Sequence, residues 1–462
     1  MRIGDILKGK KAKGYFSLWL FIIKNKKGKN ATSQDDMGTF RLSSKIYSRF
    51  VEVKPMEIIV QKFGGTSLAT KEKMEMAAKK VIDAKKEGYD VVVVVSAMGR
   101  KGAPYATDTL LNLIQEANQN ASPREVDLLL HCGEIISSVV FSQILTSKGY
   151  ESLALTGAQA GIITDKSFSE ARILKIKPDK IKKHLKEGRI VVVTGFQGAT
   201  EDGELTTLGR GGSDTTATAL GVALDAKYVE IFTDVDGIKT ADPRIVDNAK
   251  TLETVTYSEI CQLAHQGAKV IHPRAVEIAM QKDIPIKIRS TFSDTPGTLV
   301  TNCRENGQTV DIFAYRIITG ITHMGDLSQI RINMHEQKDS SKMQLNILKT
   351  IAASKISIDF INISPQEIVF TVAGKNTTKV ESILSEMNIK ANITRGCAMV
   401  SIVGVNMMGV PGVMADSVEA LVEKDIQILQ TADSYTTVWY LVKEQDIEKA
   451  IIALHNKFEL GN

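Results

Sequence analysis

Five consecutive valines, Val91 to Val95, limit the folds open to this chain more than any other feature. A strand with one wet face alternates apolar and polar residues, so an unbroken apolar run marks a strand covered on both faces, as in a parallel sheet between helices. The surrounding pattern agrees. Strands are predicted over 58–61, 152–155, 190–194, 228–233 and 286–289, and helices over 71–86, 107–117, 126–148, 180–186, 217–224, 257–266 and 273–281. Strands alternating with helices imply an α/β domain over 56–299 with a mainly parallel sheet sandwiched by helices, whose ligands sit beyond the carboxyl ends of the strands.

Two glycine loops are placed at that edge. The first strand runs into Lys62-Phe63-Gly64-Gly65-Thr66-Ser67, and about 145 residues later Thr207-Leu208-Gly209-Arg210-Gly211-Gly212-Ser213-Asp214-Thr215-Thr216 opens a helix. Paired glycines let backbone N–H groups approach a phosphate closely, and Lys62 supplies a cation. The hydroxyls of Thr66 and Ser67 are expected to cap the following helix. One such loop is often an ordinary tight turn; two point to a phosphate substrate.

From about residue 317 the texture changes. Short strands over 329–334, 358–364, 368–373 and 391–394 surround one helix with Leu345, Leu348, Ile351 and Ala352 at helical spacing and another with Val380, Ile383, Leu384 and Met387, in the order βαββαβ. Most of this recurs in strands 399–405, 426–430 and 437–442, with helices over 413–423 and through Ile447, Ala450, Ile451, Leu454 and Phe458. The repeat predicts two small units, 317–394 and 395–462, that serve pairing or ligand sensing.

At 462 residues the chain exceeds what one core usually serves, and 43% apolar with 24% charged residues is ordinary for a globular protein. The net charge of +5 misleads, because residues 1–55 carry 13 Lys/Arg against 4 Asp/Glu and leave the remainder mildly acidic. Neither nucleic acid nor membrane is an expected partner. The apolar block at 16–23 is far short of the ~20 residues of a membrane helix, and no small-residue cleavage site follows it closely. Residues 1–55 are expected to be a disordered or artefactual extension before a start at Met56. Cys132, Cys261, Cys303 and Cys397 are too widely spaced for paired metal ligation and read as reduced thiols of a cytoplasmic protein.

Over 56–460 the chain resembles the aspartokinases of the amino-acid kinase superfamily. The resemblance rests on both glycine loops, His131-Cys132-Gly133-Glu134, Gly195-Phe196-Gln197-Gly198, Thr233-Asp234-Val235-Asp236-Gly237, Asp242-Pro243-Arg244 and Gly267-Ala268-Lys269-Val270-Ile271-His272-Pro273, all in order. It implies an amino-acid kinase fold followed by two βαββαβ ACT domains, with a strand over 317–322 completing the second and leaving the first inserted within it. Among subtypes it looks closest to the single-function, diaminopimelate-inhibited class. The implied activity is a phosphotransferase with a carboxyl acceptor, giving 4-phospho-L-aspartate from aspartate and ATP with Mg2+. That is the entry step to lysine, threonine, methionine and diaminopimelate, feedback-regulated by an amino-acid effector in a homo-oligomer.

The resemblance also implies roles, residue by residue. Lys62 would hold the transferring phosphoryl group, Gly64 and Gly65 the phosphates, and Asp214 would orient the lysines. Arg210 would clamp the substrate α-carboxylate and Glu134 its ammonium, with Thr107, Phe196 and Ser213 completing the pocket. Thr233, Asp234, Lys239, Arg244 and Lys269 would serve ATP, and Asp326, Gln329, Asp359, Asn362 and Ile363 the effector. The glycine loops are shared with acetylglutamate, glutamate and uridylate kinases; the tandem repeat and the pair Glu134 with Arg210 argue against these. A non-catalytic amino-acid sensor is the other alternative, and the intact Lys62 and Asp214 count against it.

Overall fold

The computed structural model describes residues 56–268, 270–302, 317–334, 339–405, 407 and 410–462, so the basic extension, Lys269 and Cys303 lie outside the described residues. The first domain runs β1 (Ile58–Phe63), α1 (Lys71–Lys86), β2 (Asp90–Val95), α2 (Thr107–Ala117), α3 (Pro123–Ser147), β3 (Ser152–Leu155), β4 (Ile162–Thr164), β5 (Ile173–Ile176), α4 (Asp179–Lys186), β6 (Ile190–Thr194), β7 (Gln197–Ala199), β8 (Leu205–Thr207), α5 (Gly212–Leu224), β9 (Tyr228–Thr233), β10 (Thr254–Val255), α6 (Tyr257–His265), α7 (Pro273–Met280), β11 (Ile286–Ser290) and β12 (Thr298–Val300).

Eight strands form one sheet in the order β10-β12-β11-β9-β1-β2-β6-β3, parallel except where β11 meets β12. The valine strand lies inside it. Val92 and Val94 enter one core and Val91, Val93 and Val95 the other, which is why no polar residue interrupts the run. A second sheet, β5-β4-β7-β8, was not expected: strands of three or four residues have no period to read. Helix α3 is long and apolar enough to cross a membrane, but half of its apolar window is packed inside the protein and it carries Asp127 and Glu134, both buried. It is a core helix.

The second half continues with β13 (Ile318–Asn333), α8 (Ser340–Ala353), β14 (Asp359–Ile363), β15 (Glu367–Ala373), α9 (Thr377–Glu386), β16 (Asn392–Gly404), α10 (Val413–Val422), β17 (Gln430–Asp433), β18 (Thr437–Lys443) and α11 (Ile447–Lys457). The expected division into units 317–394 and 395–462 needs correction. All six strands make one sheet, β14-β15-β13-β16-β18-β17, and a division at 394/395 falls inside β16. The antiparallel pair β13 and β16 spans both units: Ile318 to Met324 pair with Met399 to Gly404, and Leu327 to Arg331 with Asn392 to Cys397, with register shifts between. The first stretch of β13 therefore completes the second repeat. The expected apolar face of α8 is also displaced. Leu345 is exposed, while Gln344 is buried and donates to the Ser364 carbonyl at 2.7 Å.

The segment after β9 joins the two halves. Ala241, Val246 and Ala249 are buried in the same core as Ile321, Val400, Tyr440 and Leu454. The Thr240 carbonyl accepts from Ile321 N–H at 2.7 Å, and the Thr240 hydroxyl lies 3.0 Å from His455 Nε2 on α11. Removing everything beyond residue 299 strips these residues of their cover. Such a truncation is expected to lose feedback control and to aggregate; a monodisperse fragment by light scattering would contradict the second expectation.

Candidate active site

The two glycine loops meet. Lys62, one residue from the end of β1, places Nζ 2.6 Å from Asp214 Oδ1, and both side chains are 13% exposed. Asp214 stands in the first turn of α5, which begins at Gly211 in the left-handed region (φ 69°). A Cβ at Gly211 would sit 2.3 Å from the His272 side chain, and one at Gly65 would sit 2.6 Å from the Ala97 and Gly99 carbonyls, so backbone approaches that only glycine allows set both loops. The expected helix cap is displaced. Residues 65–68 form a single tight 3-10 turn without a side-chain cap, Ser67 instead meets the Thr291 hydroxyl at 2.7 Å, and Thr70 caps α1.

Beside the ion pair opens a cleft of about 210 Å³ whose lining includes Lys62, Thr107, Glu134, Phe196, Arg210, Ser213 and Asp214. All seven residues assigned to catalysis and aspartate binding thus face one space. Gly209, Gly211, Gly212 and Ser96 complete the lining. Ser96, whose hydroxyl donates to Ser213 Oγ at 2.8 Å, was not anticipated; its signal is its place as the first polar residue after the valine strand, at the edge where ligands bind.

The charges in the cleft are incompletely matched. Glu134 is 1% exposed; its Oε1 accepts from Ala97 N–H at 3.0 Å, while Oε2 is buried with no hydrogen-bond partner among the described residues. Burial pushes its carboxyl up from 4.5 to about 8, against the opposing Ala97 hydrogen bond. An orphaned buried carboxylate oxygen is costly and calls for a donor from the ligand. Arg210, also in the lining, is exposed. Among the described residues the cleft therefore offers an ammonium acceptor in Glu134, an unpaired guanidinium in Arg210 and the Lys62 ammonium.

The amino acid kinase family model matches residues 57–290, and an ACT domain model matches 392–456. The chain is 54% identical to aspartokinase 1 of Bacillus subtilis over 406 residues, 88% of this chain and all of the relative. It is 40% identical to the aspartokinase of Mycolicibacterium smegmatis, over 88% of this chain and 97% of that one. The chain belongs to the aspartokinases. The fold likewise matches E. coli aspartokinase III in complex with aspartate and ADP at a TM-score of 0.69, with 26% identity over 87% of this chain and 99% of that one. The lysine and aspartate complex of the same enzyme matches at 0.68 with the same identity and coverage. The ACT match at 392–456 takes in β16 but leaves out the stretch of β13 that completes the unit.

The aspartokinase residues expected on the nucleotide side are less gathered. Gly64 and Gly65 follow Lys62 directly. Thr233 ends β9, beside β1 in the sheet, and donates to Asp234 Oδ1 at 3.2 Å, while Asp234 pairs with Arg100 at 3.0 Å. Lys239 donates to the Ala249 carbonyl at 3.3 Å, and Arg244, 85% exposed, is held 2.6 Å from Asp242. None of these lines the cleft of about 210 Å³. His272 caps α7, accepting from Arg274 N–H, in keeping with a structural role.

The residues expected to bind the effector spread over the six-stranded sheet. Asp326 sits exposed in the bulge of β13 with φ 55°, its N–H donating to Glu444 Oε1 at 3.2 Å. Gln329 is buried and donates to Gln430 Oε1 at 3.0 Å, and Gln430 in turn donates to the Phe360 carbonyl at 2.7 Å. Asp359, Asn362 and Ile363 lie exposed on the edge strand β14. Cys132, Cys261 and Cys397 are free thiols.

Proposed function

We infer that the chain is a feedback-regulated aspartate kinase that transfers the γ-phosphoryl group of ATP to the side-chain carboxylate of L-aspartate, giving ADP and 4-phospho-L-aspartate. The observation that carries this reading is the cleft that joins an orphaned, buried carboxylate oxygen on Glu134 to the unpaired guanidinium of Arg210 and the Lys62–Asp214 pair. An amino acid fits with its ammonium on Glu134 and its α-carboxylate in the planar fork of Arg210. Its second carboxylate then faces the glycine loops.

The reaction needs no general base, because that carboxylate is ionised at neutral pH. Its obstacle is repulsion: two unit charges near 4 Å interact by about 4 kcal/mol at an effective dielectric of 20. Lys62 and the amides of Gly64, Gly65 and Gly211 oppose that repulsion and stabilise charge on the transferring oxygens, while the Gly212 N–H is held by the Gly209 carbonyl at 3.0 Å. Asp214 keeps the Lys62 ammonium aimed at the phosphoryl path and takes no proton.

Thr233, Asp234, Lys239, Arg244 and Lys269 are assigned to ATP. Mg2+ is assigned to the nucleotide's own phosphates and water, where it would supply charge neutralisation. An amino-acid effector binds the regulatory sheet near Asp326, Gln329, Asp359, Asn362 and Ile363, in a homo-oligomer paired through that sheet. A cytoplasmic location belongs to the same reading, since ATP is its co-substrate. Incubation with ATP, aspartate and hydroxylamine should trap aspartyl hydroxamate. Hydroxamate from glutamate or acetylglutamate instead would overturn the substrate assignment, and none from any acid would leave the sensor reading.

A further inference from the structure

We propose that Asp127 is a positioning residue for the amino-acid substrate: it ties the Arg210 loop to the helix that carries Glu134, and so sets the span between the two groups that grip aspartate. The inference rests on the assignment of Arg210 and Glu134 to the aspartate pocket.

Asp127 is fully buried and has no cationic partner among the described residues. Four donors satisfy it instead. Its Oδ2 accepts from the backbone N–H of Thr207 at 2.8 Å and of Ser169 at 2.9 Å, and its Oδ1 from the Thr207 hydroxyl at 2.7 Å and the Ser169 hydroxyl at 3.3 Å. An ionised group in an apolar interior is tolerated only when its hydrogen bonds are complete, so both anchor points must hold their places.

Each anchor borders the arginine. Thr207 ends β8 three residues before Arg210, and its carbonyl accepts from Ala171 N–H at 2.9 Å, closing the turn that contains Ser169. The Ser169 carbonyl is close enough to Gly209 that a Cβ there would lie 3.1 Å from it. Asp127 and Glu134 are seven residues apart on α3, two turns and about 10 Å along one face. One rigid helix thereby fixes the ammonium site at one level and the root of the carboxylate clamp at the other. The strand does not need Asp127 in order to form, since β8 has its own ladder to β7. What the carboxylate adds is the placement of that strand's end relative to α3.

The test compares steady-state kinetics of Asp127→Asn, Thr207→Val and Thr207→Ser in the full chain, after wild type has been shown to form aspartyl hydroxamate; a wild type inactive on aspartate would refute the substrate assignment itself and not this inference alone. The amide of Asp127→Asn turns its NH2 toward two of the four donors, whichever oxygen it replaces, and Thr207→Val removes the hydroxyl at constant shape. Both are expected to raise KM for aspartate at least about tenfold, the effect of losing one charge-assisted hydrogen bond, with KM for ATP within about twofold. Thr207→Ser should restore the wild-type value. Equal rises in both KM values, no rise in a folded variant, or identical behaviour of Thr207→Val and Thr207→Ser would overturn the proposal. If Asp127→Asn fails to fold by circular dichroism, the threonine pair decides.

Discussion

Lys62→Ala is expected to lower kcat by at least about a thousandfold while leaving the fold intact. Two effects act in the same direction. The substitution removes the cation nearest the path of the phosphoryl group, and it leaves Asp214, now without its partner at 2.6 Å, as a bare carboxylate facing two further anions. Repulsion that Lys62 offsets in the wild type is then added to. The double variant Lys62→Ala/Asp214→Asn should therefore recover part of the loss, because it removes the stranded charge along with the missing one. Hydroxamate formation reads the activity and circular dichroism the fold. A folded Lys62→Ala variant with wild-type turnover would refute the role.

Glu134→Gln is expected to raise KM for aspartate about a hundredfold, the cost of removing one partner of a buried charge pair, with a smaller change in kcat. The pH dependence makes the role specific. Burial lifts the Glu134 carboxyl from 4.5 to about 8 in the unliganded protein, so the folded state holds this proton more tightly than the unfolded chain does. The stability the group contributes is full below pH 4.5 and is lost as pH rises toward 8. Substrate reverses that preference, since an ammonium requires the ionised carboxylate. KM for aspartate should then fall up to about tenfold per pH unit on approach to that value and level off above it. In Glu134→Gln the profile should be flat; a slope that persists in the variant would assign the titration to another group.

The kinase domain was legible because its strands are long and doubly buried. Val91 to Val95 enter two cores at once, and that is visible as composition alone. Lys62 and Asp214 were legible through their glycines, which announce close backbone approach. Asp127 was missed because Glu134 was found through its motif alone; as carboxylates on an apolar helix, both must be satisfied by something. The regulatory half misled at its glycines. Strands were expected to stop at 322 and 394 and to resume at 329 and 399, whereas the backbone runs on past Gly325 and Gly396 through irregular register in β13 and β16. Helix α8 misled for a different reason: its buried face centres on Ile347 and Ile351 and takes in Gln344, whose amide donates to the Ser364 carbonyl, where Leu345 was expected.

The two long strands β13 and β16 have a consequence for anyone who would exchange one sensor for a foreign one. The repeats share no connecting loop at which both crossings could be cut; the seam runs through the middle of two hydrogen-bonded ribbons, near Gly325 and Gly396. A graft would need both junctions spliced in matching register, and a slip of one residue at either would turn every side chain beyond it to the opposite face.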